Sequence, residues 1–222
     1  VVVGSSNTVG GQRDTVLGNL NNVYGIGLNV KGDVNNVKGL DSTVIGNYNT
    51  LAKGQQTGIL GNKNAVSGSF DKVIGDKNLL VGDYTNILGN ENSVKGNINT
   101  VAGNYNQVVG HLDTVIGSAN KVAGNSNNVV GDLNSAFGNA NSILGSKNLA
   151  VGTFNDVIGN TNAVVGSANT LFGNANQVFQ DNNAVIGNSN AVNGNVNTIY
   201  GSQNAVAGNV NSGTGSVNKV AG

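Results

Sequence analysis

Apolar and polar positions alternate along this chain with a period of seven residues, and glycine marks each period. Between Gly4 and Gly222 the sequence divides into 31 units, and 31 of the 32 unit boundaries are glycine, the exception being Gln180. With this glycine labelled position a, position d is Asn in 24 units and position f is Val, Ile or Leu in 28. A short fixed period of this kind is typical of repeat architectures.

The heptad predicts strands rather than helices. A coiled coil needs two apolar seams separated by good helix formers, but here only position f is consistently apolar, and the recurring glycine would cost about 1 kcal/mol each time. Positions d to g instead alternate with a period of two, which places d and f on one face of a strand. Glycine at a followed by Asn, Ser or Asp at b is typical of a turn. Each heptad therefore predicts a short strand and a corner.

Alternate heptads differ at positions c and g, which doubles the structural period to fourteen. From residue 68 onward one set carries mostly apolar residues there, such as Phe70 and Ile74, whereas the intervening set carries mostly polar residues at c, such as Lys63. We therefore predict an all-β fold, a parallel β-solenoid (β-roll) of about fifteen 14-residue coils with two short strands each. Identical Asn residues stacked at strand spacing can bond amide to amide, so the d row and the f row are both expected inside.

The whole chain, residues 1–222, is expected to form a single continuous solenoid of 31 heptads, uncapped at both ends because both termini have ordinary repeat sequence. One unit, 46–54, is a residue longer than the others. A single extra residue between Leu51 and Gly54 is expected to form a local bulge rather than a domain boundary.

The apolar c and g residues of alternate heptads predict an exposed stripe on one outer face. A contiguous apolar stripe marks an interface, and the net charge of zero adds no repulsion between copies. The sequence thus predicts self-association, as a trimer or a filament. The residues assigned to this contact are Phe70, Ile74, Tyr84, Leu88, Ile98, Leu112, Ile116, Leu144, Phe154, Ile158 and Phe172.

The repeat resembles the head domains of trimeric autotransporter adhesins over the whole chain. The matching positions are the glycine at a, a Ser, Thr or Asn at d, as in Ser42, and a small or aliphatic residue at f, as in Ala136 and Ala150. The resemblance implies a left-handed parallel β-roll, three chains packed around one axis, and binding to host matrix or to other cells.

Composition and charge narrow the possible functions. The chain has no Cys, which excludes disulfides and cysteine-based sites, and its apolar runs are too short to cross a bilayer. Eleven basic and eleven acidic residues are scattered singly, so no basic patch exists for nucleic acid. His111, the only histidine, occupies position b and is interpreted as a turn residue. We expect no metal, cofactor or catalytic residue.

We interpret the chain as a non-enzymatic structural or adhesive fibre module, extracellular or at the cell surface. Besides copies of itself, the expected partners are host matrix, a cell surface or a glycan. An enzyme would need catalytic residues that converge, usually on longer loops than these heptads provide.

An ice-binding β-solenoid is the alternative hypothesis, because a flat solenoid with regular threonine rows can order water. Position e is the candidate row, and its irregularity is expected to make a poor ice plane. The row contains Thr8, Thr15, Thr43, Thr50, Thr100, Thr114, Thr170 and Thr198, and it is interrupted by Asn22, Lys72, Leu79, Lys121, Leu149 and Asp156.

Overall fold

The protein, seen in a computed structural model that describes all 222 residues, consists of β-strands joined by tight corners. Its residues group into two compact units, unit 1 (Val1–Leu112) and unit 2 (Asp113–Gly222). Each unit is described by itself below. The single continuous solenoid over residues 1–222 stays a prediction.

Unit 1 contains sixteen strands in two parallel sheets, with odd-numbered strands in sheet A and even-numbered strands in sheet B. Sheet A comprises β1 Val2–Val3, β3 Thr15–Leu17, β5 Asn29–Lys31, β7 Thr43–Ile45, β9 Gly58–Leu60, β11 Lys72–Ile74, β13 Asn86–Leu88 and β15 Thr100–Ala102. Sheet B comprises β2 Thr8–Gln12, β4 Asn22–Ile26, β6 Asn36–Leu40, β8 Thr50–Gln55, β10 Ala65–Ser67, β12 Leu79–Val81, β14 Ser93–Lys95 and β16 Gln107–Val109.

Unit 2 repeats this arrangement with sixteen strands of three residues each. Sheet A comprises β17 Thr114–Ile116, β19 Asn128–Val130, β21 Ser142–Leu144, β23 Asp156–Ile158, β25 Thr170–Phe172, β27 Ala184–Ile186, β29 Thr198–Tyr200 and β31 Ser212–Thr214. Sheet B comprises β18 Lys121–Ala123, β20 Ser135–Phe137, β22 Leu149–Val151, β24 Ala163–Val165, β26 Gln177–Phe179, β28 Ala191–Asn193, β30 Ala205–Ala207 and β32 Lys219–Ala221.

Strand pairing confirms the parallel β-solenoid and its 14-residue coil. Within each unit, strands two positions apart in the chain pair in parallel, so that Val94 lies beside Val108 in unit 1 and Val129 beside Ile143 in unit 2. There are sixteen coils rather than about fifteen, because the residues before Gly4 also form a strand.

Positions d and f point inward in both units, as predicted. The f residues form the apolar core, and Val94, Val129 and Ile143 are each at most 1% exposed. Most d residues are buried as well. Most strands therefore contribute one apolar side chain to the core, and an Asn usually precedes the strand.

The buried Asn residues of unit 2 form two ladders. Asn148 is representative: its backbone N–H and its Nδ2 both donate to Oδ1 of Asn134, at 2.9 and 3.1 Å, and Nδ2 also donates to the Gly159 carbonyl at 2.8 Å. These bonds satisfy a buried amide without water. One ladder consists of Asn120, Asn134, Asn148, Asn162, Asn176, Asn190, Asn204 and Asn218, and the other of Asp113, Asn127, Asn141, Asn155, Asn169, Asn183, Asn197 and Asn211.

Unit 1 has one continuous Asn ladder and one mixed ladder. The continuous ladder, which precedes sheet B, consists of Asn7, Asn21, Asn35, Asn49, Asn64, Asn78, Asn92 and Asn106. The mixed ladder, which precedes sheet A, consists of Asp14, Leu28, Ser42, Thr57, Asp71, Thr85 and Asn99. Its hydroxyl rungs make longer bonds, such as the 3.4 Å bond from Thr85 Oγ1 to the Gly96 carbonyl.

Position c, not position b, is the left-handed residue of each corner. Its non-glycine residues have φ between 46 and 62°, a region that is costly for a β-branched side chain such as that of Ile98. Stacking holds this conformation, because the backbone N–H of Ile98 donates to the Asp83 carbonyl one coil earlier at 2.9 Å. Position b forms an outer ladder, in which the N–H of Asn160 donates to Oδ1 of Asn174 at 2.9 Å.

The extra residue of 46–54 forms the predicted local bulge, and it lies inside unit 1. In sheet B, Val37 pairs with Leu51 but Gly39 pairs with Gly54, so the register shifts by one between them. In sheet A the pairing of β7 with β9 carries no such shift. The insertion therefore disturbs one sheet and leaves the other regular.

The buried ladder amides should contribute far more to the free energy of unfolding than the exposed amides at position b. Asn148→Ala removes four hydrogen bonds and leaves the buried Asn162 N–H and the part-buried Gly159 carbonyl without partners, which we expect to cost about 3 to 5 kcal/mol. Asn160→Ala affects an exposed ladder where water replaces the lost bonds, and it should cost about 1 kcal/mol or less. Urea denaturation measures both, and equal losses would contradict the ladder's role.

A charged residue should destabilise the protein far more in an inward row than in an outward row. Val122→Asp places a charge at a position that is 1% exposed, and the loss should be several kcal/mol. Lys121→Asp changes an exposed residue whose Nζ lies 5.6 Å from the Phe137 ring centroid, a contact worth about 0.5 to 1 kcal/mol. Similar thermal shifts for the two variants would refute the assigned faces.

Candidate functional site

Each sheet presents a flat outer face built from two rows of side chains. The regular strand consists of positions e, f and g, and because f points into the core, e and g point outward. Along a row, neighbours are separated by the strand spacing of about 4.8 Å, and the two rows are about 6.6 Å apart. The outer surface is thus a two-dimensional grid.

The outer face of sheet A in unit 2, called here the A face of unit 2, combines a polar row and an apolar row. The e row is Thr114, Asn128, Ser142, Asp156, Thr170, Ala184, Thr198 and Ser212. The g row is Ile116, Val130, Leu144, Ile158, Phe172, Ile186, Tyr200 and Thr214. Asp156 is the only charged residue of these sixteen. The apolar members are well exposed, with Ile116 at 45% and Leu144 at 51%.

The A face of unit 1 has the same plan but is less even. Its e row is Thr15, Asn29, Thr43, Gly58, Lys72, Asn86 and Thr100, and its g row is Leu17, Lys31, Ile45, Leu60, Ile74, Leu88 and Ala102. Two lysines interrupt these rows. Small side chains also leave hollows of about 180 Å³ beside Gly58 and about 370 Å³ beside Ala102.

The outer faces of sheet B are more irregular. In unit 1, strands β2, β4, β6 and β8 have five or six residues instead of three. In unit 2 the e row includes Lys121, Gln177 and Lys219, and alanines leave a trough of about 270 Å³ beside Phe179.

The e row looks irregular in the sequence because its residues are divided between two faces. Successive heptads alternate between the sheets, so Thr43 belongs to sheet A and Thr50 to sheet B. Six of the eight threonines lie on sheet A. Of the six interruptions, Asn22, Leu79, Lys121 and Leu149 lie on sheet B. The A face is consequently more regular than the undivided row.

The residues predicted for self-association fall into two rows rather than one stripe. The g row of sheet A contains Ile74 and Leu88 in unit 1, and Ile116, Leu144, Ile158 and Phe172 in unit 2. The corner position c contains Phe70, Tyr84, Ile98 and Leu112 in unit 1, and Phe154 in unit 2. The e row lies between the two. Self-association through these residues stays a prediction.

Neighbouring c residues contact each other along the corners of unit 1. The rings of Phe70 and Tyr84 stack with centroids 4.7 Å apart and planes 6° apart. Lys77 and Glu91 form an ion pair of 2.8 Å, and the hydrogen bond that Lys77 Nζ donates to this carboxylate raises the pKa of Lys77. These contacts repeat at 14-residue spacing and follow from the stacking of coils.

The remaining candidate chemistry lies at the corners. Nδ1 of His111 accepts a hydrogen bond from the backbone N–H of Asn97 at 3.0 Å, as an Asn at position b would. No three His, Cys, Asp or Glu side chains are grouped so that they could hold a metal ion, and no helix is present that could cross a membrane.

Comparison with known proteins identifies one similarity. A family model described as the grass antifreeze beta roll matches residues 74–159, which is less than half of the chain. No curated protein matches the chain. The matching family is a β-roll, in agreement with the predicted fold, whereas the resemblance to trimeric autotransporter heads is not confirmed. Over residues 74–159 the chain is therefore similar to an antifreeze β-roll.

Proposed function

We propose that this protein binds ice, and that the A face of unit 2 is the surface that contacts the crystal. The observation that carries the proposal is the division of position e between two sheets. This division leaves on one face a row rich in Thr, Ser and Asn beside a row of Ile, Val and Leu.

The chemistry of the A face suits ice as a ligand. An ice surface presents oxygen atoms in a repeating two-dimensional lattice, and a protein grid of about 4.8 by 6.6 Å repeats on a similar scale. Hydroxyl and amide groups can bond to water in that lattice. Methyl groups of the apolar row cannot compete for these bonds, and they order the neighbouring water around them.

Low charge on this face also supports the proposal. A charged side chain holds its own hydration shell and loses free energy when that shell is removed. In unit 2 the A face carries a single charge, at Asp156, whereas the outer face of sheet B carries Lys121 and Lys219.

Rigidity supports it further, because a lattice is recognised only by a surface that keeps its spacing. Each strand of the A face follows a ladder residue, and from Asn127 to Asn211 this ladder is Asn at every rung. The similarity to the antifreeze β-roll covers β17, β19, β21 and β23 of this face. Ice binding also places the protein outside the cell, where ice is encountered.

Serines at position e of consecutive heptads offer a matched test. Ser142 lies on the A face, Ser135 on the outer face of sheet B, and both are half-buried. We expect Ser142→Tyr to raise the concentration needed to inhibit ice recrystallisation about tenfold or more, because the ring projects from the flat face. Ser135→Tyr should leave this concentration unchanged.

Circular dichroism and thermal unfolding of both serine variants provide the control for folding. Equal activity of the two variants would place the ice contact elsewhere. A parent protein that neither inhibits recrystallisation nor shows thermal hysteresis at millimolar concentration would refute ice binding itself.

A non-enzymatic structural or adhesive module is the second candidate, favoured by the exposed apolar g row and the stacked corner aromatics. In this role, copies would associate laterally as a trimer or filament and present their outer rows to host matrix, a cell surface or a glycan. It too would act outside the cell. Neither candidate requires catalysis or a cofactor.

The double variant Ile116→Lys with Ile158→Lys separates the two candidates, because both residues lie in the g row of the A face. Under the ice proposal, the parent and the variant sediment alike and only ice activity is lost. If self-association is the function, the parent sediments as an oligomer and the variant as a monomer, since like charges across a contact are costly.

A further inference from the structure

The mixed ladder of unit 1 contains buried carboxyl groups at Asp14 and Asp71, where the rungs of the continuous ladder have an amide. Asp71 is 3% exposed and directly precedes β11. Its Oδ1 accepts the backbone N–H of Thr85 at 2.9 Å, as Oδ1 of a ladder Asn does. Its Oδ2 is buried and receives no hydrogen bond.

This second oxygen occupies the place of a donor. In an ordinary rung, Nδ2 of Asn134 lies 3.3 Å from the position that a Cβ atom of Gly131 would take, and it donates to the Gly145 carbonyl. At Asp71, Oδ2 lies 2.7 Å from the corresponding position of Gly68, whose other neighbour is the carbonyl oxygen of Gly82. Two acceptors therefore face each other where a rung such as Asn134 has a donor and an acceptor.

We propose that Asp71 is a neutral carboxylic acid in the folded protein, with its Oδ2–H donating to the Gly82 carbonyl, and that loss of this proton is a pH switch that loosens unit 1. The protonated side chain has the hydrogen-bonding pattern of Asn and completes the rung. The ionised side chain places a negative charge against a carbonyl oxygen inside the core, which is costly.

The surroundings offer no positive charge to stabilise the ionised form. The rungs before and after Asp71 are Thr57 and Thr85, and the ladder at the opposite corner contains Asn64 and Asn78. Lys72, the next residue, is exposed and occupies the outward position e. Burial, with a smaller effect of the Asp83 carboxylate, raises the pKa of Asp71 to about 7 against the lowering effect of the Thr85 N–H.

The sign of the pH effect follows from these values. The folded protein binds this proton more tightly than the unfolded chain, in which the pKa of Asp71 is near 3.8. Its contribution to stability is fully present below about pH 4, falls as the pH rises towards 7, and is absent above that. The corner that leads into β11 is where the folded structure loosens. This inference is independent of ice binding.

Asp71→Asn tests the proposal, because the amide supplies the same donor at every pH. We expect the thermal midpoint of the parent to fall by several degrees between pH 4.5 and pH 8.5. The midpoint of Asp71→Asn should change much less and should exceed that of the parent at pH 8.5. The difference between the two profiles isolates the contribution of residue 71.

Asp76→Asn is the matched control, because Asp76 is an exposed carboxylate of the same unit that accepts the N–H of Asn62 at 2.7 Å. Its profile should parallel that of the parent. Parallel profiles for Asp71→Asn and the parent would overturn the proposal. Carbon-13 NMR of the Asp71 carboxyl decides independently of any variant, since a midpoint near pH 7 supports the proposal and one near pH 4 overturns it.

Discussion

The close stacking of successive glycine corners is the constraint on which the rest of this structure depends. A Cβ atom on Gly145 would collide with the carbonyl oxygen of Gly159, one coil later, so only glycine permits this approach. The same carbonyl accepts the Nδ2 hydrogen bond of Asn148. Glycine at a and Asn at d therefore act together, because the first lets the next coil approach and the second bonds to it. This contact fixes how closely one coil lies to the next, and the core, the strands and the outer rows repeat at that spacing.

Much of the fold could be predicted because the regular spacing of Gly, Asn and Val indicates where each corner lies and which side chains point inward. A regular Asn three residues after each glycine, with Val two residues further on, predicts inward rows by the alternation of a strand, and Asn148 and Val122 lie where this pattern places them. The bulge near Leu51 could be located from one extra residue. The left-handed conformation at c could not be predicted, because residues as different as Lys63 and Ile98 adopt it. Backbone hydrogen bonds between stacked coils hold position c in this conformation, and the side chain has no part in it.

The candidate site was harder to predict than the fold, although the information was present. Taken as one row along the sequence, position e includes Leu79 and Lys121, which lie on the opposite face from Thr100 and Thr114. The 14-residue period that positions c and g show also separates the e residues of the two faces. The protonation state of Asp71 could not be predicted from the repeat at all. Its chemistry depends on which atom faces Oδ2, and a repeat pattern does not reveal whether a carboxyl group stands in for an amide.

The most direct test of the proposed function is to observe which face meets ice. Because the chain contains no cysteine, a fluorophore can be attached to a single engineered thiol, either at Thr170→Cys on the A face of unit 2 or at Gln177→Cys on the outer face of sheet B. Each labelled protein is then exposed to a growing ice crystal. If the A face of unit 2 binds ice, protein labelled at position 177 coats the crystal, while protein labelled at position 170 stays in the liquid. Equal coating by both proteins, or by neither, would contradict it.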